Sequence, residues 1–257
     1  MRIVQRVAHG TTRAAIGLEA NLVRMMFAWV IMLSAAAGLR LAFPVLPIVR
    51  APDYLVAGLP YALIIAAPVM AIALALRWFP NGAMFSQPRL RLAQVGRWRD
   101  VDVSTARRDP LFGAGGFLFS LLVGILLNIP MRTLEFMSAV PAAGPGAPIW
   151  YGVLFGALLA NLVLLSSLYA FAFVAALRAM PLFPRLMAAI WLVDLAMQFV
   201  VAYAVANTPG LPSPVARNLL TLLDGNVKTV VISVALWCPY LLLSRRVNLT
   251  YRLRVPA

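Results

Sequence analysis

The chain is poor in the groups that carry most enzyme chemistry. It has one cysteine, Cys238, and one histidine, His9. A single cysteine excludes an internal disulfide and any cysteine-cluster metal site. A lone histidine near the start leaves a Ser/His pairing without support. Acidic residues number eight in 257: Glu19, Asp53, Asp100, Asp102, Asp109, Glu135, Asp194 and Asp224. No two of them stand at helical spacing within one apolar run, so the paired carboxylates that clamp a metal on a diphosphate are missing. Asp100 and Asp102 are two apart in a polar stretch, which is a weak signal. There is no Walker loop and no dinucleotide fingerprint. The sequence therefore implies no metal and no organic cofactor, and a membrane enzyme built on Asp100, Asp102 or Glu135 ranks third among the functional readings.

Apolar side chains are what the chain has in abundance. They make up 63% of it, with only 12% charged and a mean hydropathy of +0.89. Runs of about 18 or more apolar residues mark helices that cross a bilayer. Six such runs are expected: 25–43, 54–78, 111–129, 150–177, 186–206 and a last one apolar from Val230 to Leu243. The fold class is thus an all-α, polytopic membrane helical bundle. Its parts are a basic N-terminal segment (1–24), a two-span hairpin (25–78), a basic loop (79–110) and a four-span domain with a basic tail (111–257).

Net charge is +14, and all but one of the 22 basic residues are Arg. In a soluble chain that would suggest nucleic acid. Here the charge sits between apolar runs, so no nucleic acid is expected and anionic lipid head groups are the nearer partner. Seventeen basic residues fall before the first span, between spans two and three, between four and five, and after six; five fall on the other side. The positive-inside rule then puts both termini in the cytoplasm of a bacterial inner membrane. Head-group contacts are expected from Arg97, Arg99, Arg107, Arg108, Arg245 and Arg252, each worth about 1 kcal/mol near an anionic leaflet.

The connections carry further expectations. Residues 1–24 read as a surface helix or a frayed tail. Ser34 to Gly38 looks a little like a signal-peptidase site, but the apolar run continues past it. In the basic loop, Leu90, Leu92, Val95 and Trp98 suit a membrane surface, against a plainly solvated loop. Gly113 to Gly116 open the third span with small residues that permit close helix approach. Residues 131–149 read as a loop after Pro130, with Arg132 and Glu135 charged. Ser213 suits an N-cap before Pro214, opening a short interfacial helix through Leu219, Leu220, Leu222 and Leu223. The likeness of Leu76-Arg77 before Pro80 to Leu177-Arg178 before Pro181 reads as two snorkelling helix ends rather than a repeat.

Two constellations stand out. The first is Asp194, eight residues into the fifth span and roughly 12 Å deep. A carboxylate there costs about 2.5–3.5 kcal/mol on insertion scales, and burial favours its neutral form. Gln198 is one turn on and shares its face. Ser166 and Ser167 of the fourth span should lie near the depth of Asp194, and Asn161 nearer that of Gln198. The cluster reads either as hydrogen bonding that fixes helix packing or as a proton or ligand site, though no second intramembrane charge accompanies it. The second constellation is C-terminal: Trp237, Pro239, Tyr240, Ser244, Arg246, Thr250 and Tyr251. Pro239 lacks the amide that would bond the carbonyl of Ala235, and Tyr240 and Ser244 share a face. A stop-transfer anchor and a surface for docking a membrane-protein partner both fit.

Those C-terminal residues also carry a family likeness. From Leu111 onward the chain resembles an uncharacterised bacterial membrane family, domain of unknown function 2569. The likeness rests on Trp237-Cys238-Pro239-Tyr240, then Ser244-Arg245-Arg246-Val247, then Thr250-Tyr251, with Tyr251 where Phe is usual. Gly115-Gly116-Phe117-Leu118 is similar to the Gly-Gly-Trp-Leu that opens such domains, and Leu182-Phe183-Pro184 is also similar. The resemblance implies an integral membrane domain of four helices and no catalytic activity. Together these readings favour a non-enzymatic accessory or scaffold protein, with a small proton- or solute-coupled transporter using Asp194, Gln198 and Asn161 as the alternative.

Overall fold

A computed structural model describes residues 2–80, 86–88, 96–144 and 146–257, with side chains from residue 10 onward. His9's side chain and the surface-seeking Leu90, Leu92 and Val95 lie outside the described residues, as do Arg89 and Arg91. The fold is helical, with one two-stranded ribbon among the described residues. Helix α1 (Arg2–Ala20) is followed by α2 (Leu22–Ala42) and α3 (Ala51–Trp78). Strand β1 (Trp98–Asp100) and the short α4 (Val103–Arg108) fall in the basic loop. The remainder is α5 (Phe117–Ala139), α6 (Ile149–Leu177), α7 (Phe183–Ala206), α8 (Ser213–Leu243), α9 (Arg245–Arg252) and β2 (Arg254–Pro256). Six of these helices, α2, α3 and α5 to α8, are long and apolar enough to cross a membrane. The chain is a multi-pass helical membrane protein.

Helix α6 is the axis of the bundle. Half of its most apolar stretch is buried, against 17% for α2 and α8, which flank the structure. It packs on α3, α5 and α7, while α2 packs on α3 and α8 on α7. The sequence explains its position. Ala170, Ala172, Ala175 and Ala176 are fully buried, and such small side chains let neighbouring backbones approach where lipid supplies no hydrophobic drive between helices. At the end away from the termini, the α2–α3 and α5–α6 links are pinned together: Val45 N donates to Ala142 O at 2.9 Å and Gly144 N to Leu46 O at 3.2 Å.

Three expectations change. The third span is not 111–129 but Phe117–Ala139, and it runs through Pro130 without ending. Neighbouring helices can satisfy the carbonyl that a membrane proline frees. The buried positions Ile125, Ile129, Thr133, Phe136 and Met137 keep a helical period across it. Second, no separate interfacial helix precedes the last span. Residues 219–223 belong to α8, a single helix of 31 residues, about 46 Å long and so longer than a hydrocarbon core of about 30 Å. Ser213 is its first residue, and Pro212 occupies the cap. Third, Gly113 to Gly116 are not part of a span; they form the turn that precedes α5.

That turn collects the two ends of the chain. Thr11 Oγ1 of α1 accepts from Gly116 N at 2.7 Å, and Thr250 Oγ1 of α9 accepts from Gly113 N at 3.0 Å. Glu19 lies 3.3 Å from Arg178 at the α6–α7 turn. Residues 254–256 pair antiparallel with 98–100, Asp100 opposite Arg254. Both terminal segments therefore sit at one end of the bundle, called here the terminal end; the opposite end is the distal one.

Candidate functional site

The polar cluster inside the bundle is built on Asp194, which is fully buried at the middle of α7. Its Oδ2 lies 2.5 Å from Nη2 of Arg132 on α5. The same oxygen accepts from the Tyr169 hydroxyl of α6 at 2.9 Å, and Oδ1 accepts from Gln198 Nε2 at 3.0 Å. The expectation that no second charged side chain accompanies Asp194 is thus overturned. The error follows from ending the third span at Pro130, which moved Arg132 into a loop. The arginine is held on its own helix by Asn128, whose Oδ1 accepts from Nε at 2.8 Å, and its Cζ stands 5.9 Å from the centre of the Tyr169 ring.

Sequence reasoning found Asp194 and Gln198 and missed Arg132, Tyr169 and Asn226. Asn226 Nδ2 on α8 reaches Gln198 Oε1 at 3.5 Å, so the cluster ties α5, α6, α7 and α8 together. Asn161 is buried, but it bonds neither Asp194 nor Gln198 in any recorded contact. It lines a cavity of about 30 Å³ with Arg132, Glu135 and Asn226, and its Oδ1 has no partner there. That space suits about one water molecule. Ser166 and Ser167 turn away, each donating to a carbonyl one turn back on α6, of Leu162 and Val163. Chemically the arrangement is an ion pair whose carboxylate takes three donors, beside a small pocket lined in part by polar groups towards the distal end.

The later part of the C-terminal constellation packs as a lock on the terminal end of the bundle. Phe117, the first residue of α5, packs its ring 4.8 Å from Trp237 and 5.0 Å from Tyr240. Every residue from Arg246 to Arg252 is buried. Tyr251 is enclosed against Phe183 at 4.9 Å, and its hydroxyl donates to Ala176 O at 3.1 Å. Burial pushes that phenol above its usual range. The last carbonyls of a helix lack intrahelical donors, and α9 supplies them: Asn248 Nδ2 reaches Leu242 O at 3.1 Å, and Arg252 Nη1 reaches Leu241 O at 2.8 Å. Arg246 crosses the glycine turn, with Nη1 3.4 Å from Gly113 O; burial pushes its guanidinium below the usual range. Gly116 has φ of +63°, and a Cβ there would stand 3.2 Å from Arg246 Nε. Ser244 ends α8, its amide bonding Tyr240 O at 3.0 Å, and Pro239 lies within the helix.

Of the arginines expected at head groups, Arg97, Arg99, Arg107, Arg108 and Arg245 are exposed. Arg245 lies 3.5 Å from Asp109. Arg252 differs: it is 4% exposed and faces inward as part of the lock. The loop acids are scattered. Asp102 caps α4 by accepting from Ser104, whose hydroxyl and amide hold its carboxyl below the usual range. Asp100 sits on β1, and Glu135 lines the small cavity. The described residues contain no group of three metal-ligating side chains.

No family model, curated protein or solved structure matches this chain. The likeness of its last four spans to domain of unknown function 2569 is carried forward as a proposal.

Proposed function

We propose that this protein is a non-enzymatic accessory subunit of a bacterial inner-membrane assembly, docking a membrane complex or lipids through its apolar faces and basic end. One observation carries the reading: the single buried carboxylate is closed off. Asp194 has three donors on it, no exposed surface, and near it a cavity of about 30 Å³. A carrier needs a group that can change partners; this one is held for packing across four helices. The terminal end faces the cytoplasm in this reading, because the great majority of the arginines gather there. Exposed Arg97, Arg99, Arg107, Arg108 and Arg245 meet anionic head groups or an acidic partner surface. The resemblance to domain of unknown function 2569, which implies no catalysis, agrees with it. Extraction of the tagged chain in mild detergent should bring down a second membrane protein at stable stoichiometry. Recovery of the bare monomer alone at every detergent strength would end the proposal.

A transporter remains the second reading, favoured by the polar line from Asp194 through Gln198 to Asn226 and the pocket holding Asn161 and Glu135. In proteoliposomes, Asp194→Asn should then abolish a proton-coupled flux that the wild-type chain supports. Equal flux in both would remove it.

A further inference from the structure

Among the described residues, the terminal end contains buried arginine N–H groups that nothing accepts from. Arg252 is 4% exposed. Its Nη1 is used twice, on Leu241 O at 2.8 Å and Asn248 Oδ1 at 3.1 Å, while Nη2 is buried with no acceptor. Arg185, in the first turn of α7, presents a second buried Nη2 with no acceptor. Arg254 follows on β2, with its Nε 3.8 Å from Asp100. The segments that carry Arg185 and Arg252 meet, with the Phe183 and Tyr251 rings 4.9 Å apart, and burial first, then the charges of Arg254 and Arg185, push Arg252 down to about 10. Like charges brought together out of water repel, and each unmet charged donor adds a desolvation cost. An arrangement of this kind is stable when an anion bridges it. The planar guanidinium fork matches phosphate oxygens better than any other common anion partner except carboxylate.

We propose that Arg185 and Arg252, with Arg254 beside them, form a built site for a phosphate group, whose oxygens accept from the two unmet Nη2 groups. The site lies where α7 begins and the tail ends, so a bound phosphate clips the tail to the bundle. It sits beside the first turn of a membrane-crossing helix, the level of lipid head groups, so the phosphate belongs either to an anionic lipid or to a soluble phosphate. This inference does not depend on the accessory-subunit reading.

The test is thermal unfolding of the purified full-length chain. One arm adds inorganic phosphate in detergent against chloride at matched ionic strength. A second compares nanodiscs of phosphatidylglycerol with nanodiscs of phosphatidylcholine. The expected result is a Tm higher by several degrees in at least one arm, erased by Arg185→Gln and by Arg252→Gln and kept by Arg107→Gln. A rise with inorganic phosphate assigns the site to any phosphate group; a rise only in phosphatidylglycerol assigns it to the lipid. Should Arg252→Gln fail to fold, Arg185→Gln decides, since it forms none of the hydrogen bonds of the lock. No rise in either arm, or a rise that survives Arg185→Gln, overturns the proposal.

Discussion

At the residue scale, the Arg132–Asp194 pair decides what the interior can do. Removing one member of a buried pair leaves the other uncompensated and costs about 3–5 kcal/mol, whereas replacing both by apolar groups is often neutral. Asp194→Asn should therefore lower Tm sharply, and the double change Arg132→Met with Asp194→Leu should recover most of the loss. Melting curves of the three variants in one detergent check this, and a double variant no better than the single one would sink it. Tyr169→Phe removes one interhelical bond to Asp194 and should cost only about 0.6–1.7 kcal/mol. The carboxylate and Gln198 were legible in the sequence because a polar residue in an apolar run is conspicuous. Arg132 was not, because Pro130 two residues earlier reads as a stop. The clue was available in Thr133, Phe136 and Met137, which continue the buried period of Ile125 and Ile129.

At the scale of elements, the glycine turn before α5 and the α9 helix form one unit. Gly116 must hold a positive φ, and the space a side chain would fill is taken by Arg246. Gly116→Ala should cost about 1–3 kcal/mol through strain and crowding. Its first visible effect should be release of the tail, read as early cleavage C-terminal to Leu243 in limited proteolysis. A tail as resistant as the wild type would count against the lock. Most residues of this unit were singled out beforehand, Gly115, Gly116, Phe183, Trp237, Tyr240, Arg246, Thr250 and Tyr251 among them, while Thr11 and Asn248 were not. Their meeting was not, because an Arg-rich helix after the last span reads locally as a leaflet anchor. Burial of Arg246 and Arg252 depends on carbonyls at the end of α8 and on the glycine turn 133 residues away from Arg246, which no local pattern encodes.

At the scale of the whole molecule, the number of spans was read correctly because composition and run length determine it with little help from packing. The limits of α5 and α8 were not, since proline and a polar first half disguise a continuous helix. The even count and the shared glycine turn put both chain ends together. Reporter fusions to the N- and C-termini should therefore respond alike to the compartment, which the proposed reading expects to be the cytoplasm. Opposite responses would contradict the topology. Deleting residues 245–257 should leave six apolar helices yet lower Tm and broaden the gel-filtration peak, because Phe183 and the α6 terminus lose Tyr251.

The cross-link between α5 and α7 also has a temporal side. Arg132 precedes Asp194 by 62 residues, so during synthesis the cation reaches the insertion machinery well before its counter-ion has been made. On its own, such a helix is penalised by about 2.5–3.5 kcal/mol at mid-bilayer. The third span, α5, therefore gains its counter-charge only once the fifth, α7, has been made. Assembly of the α5–α7 cross-link is consequently a matter of sequence order.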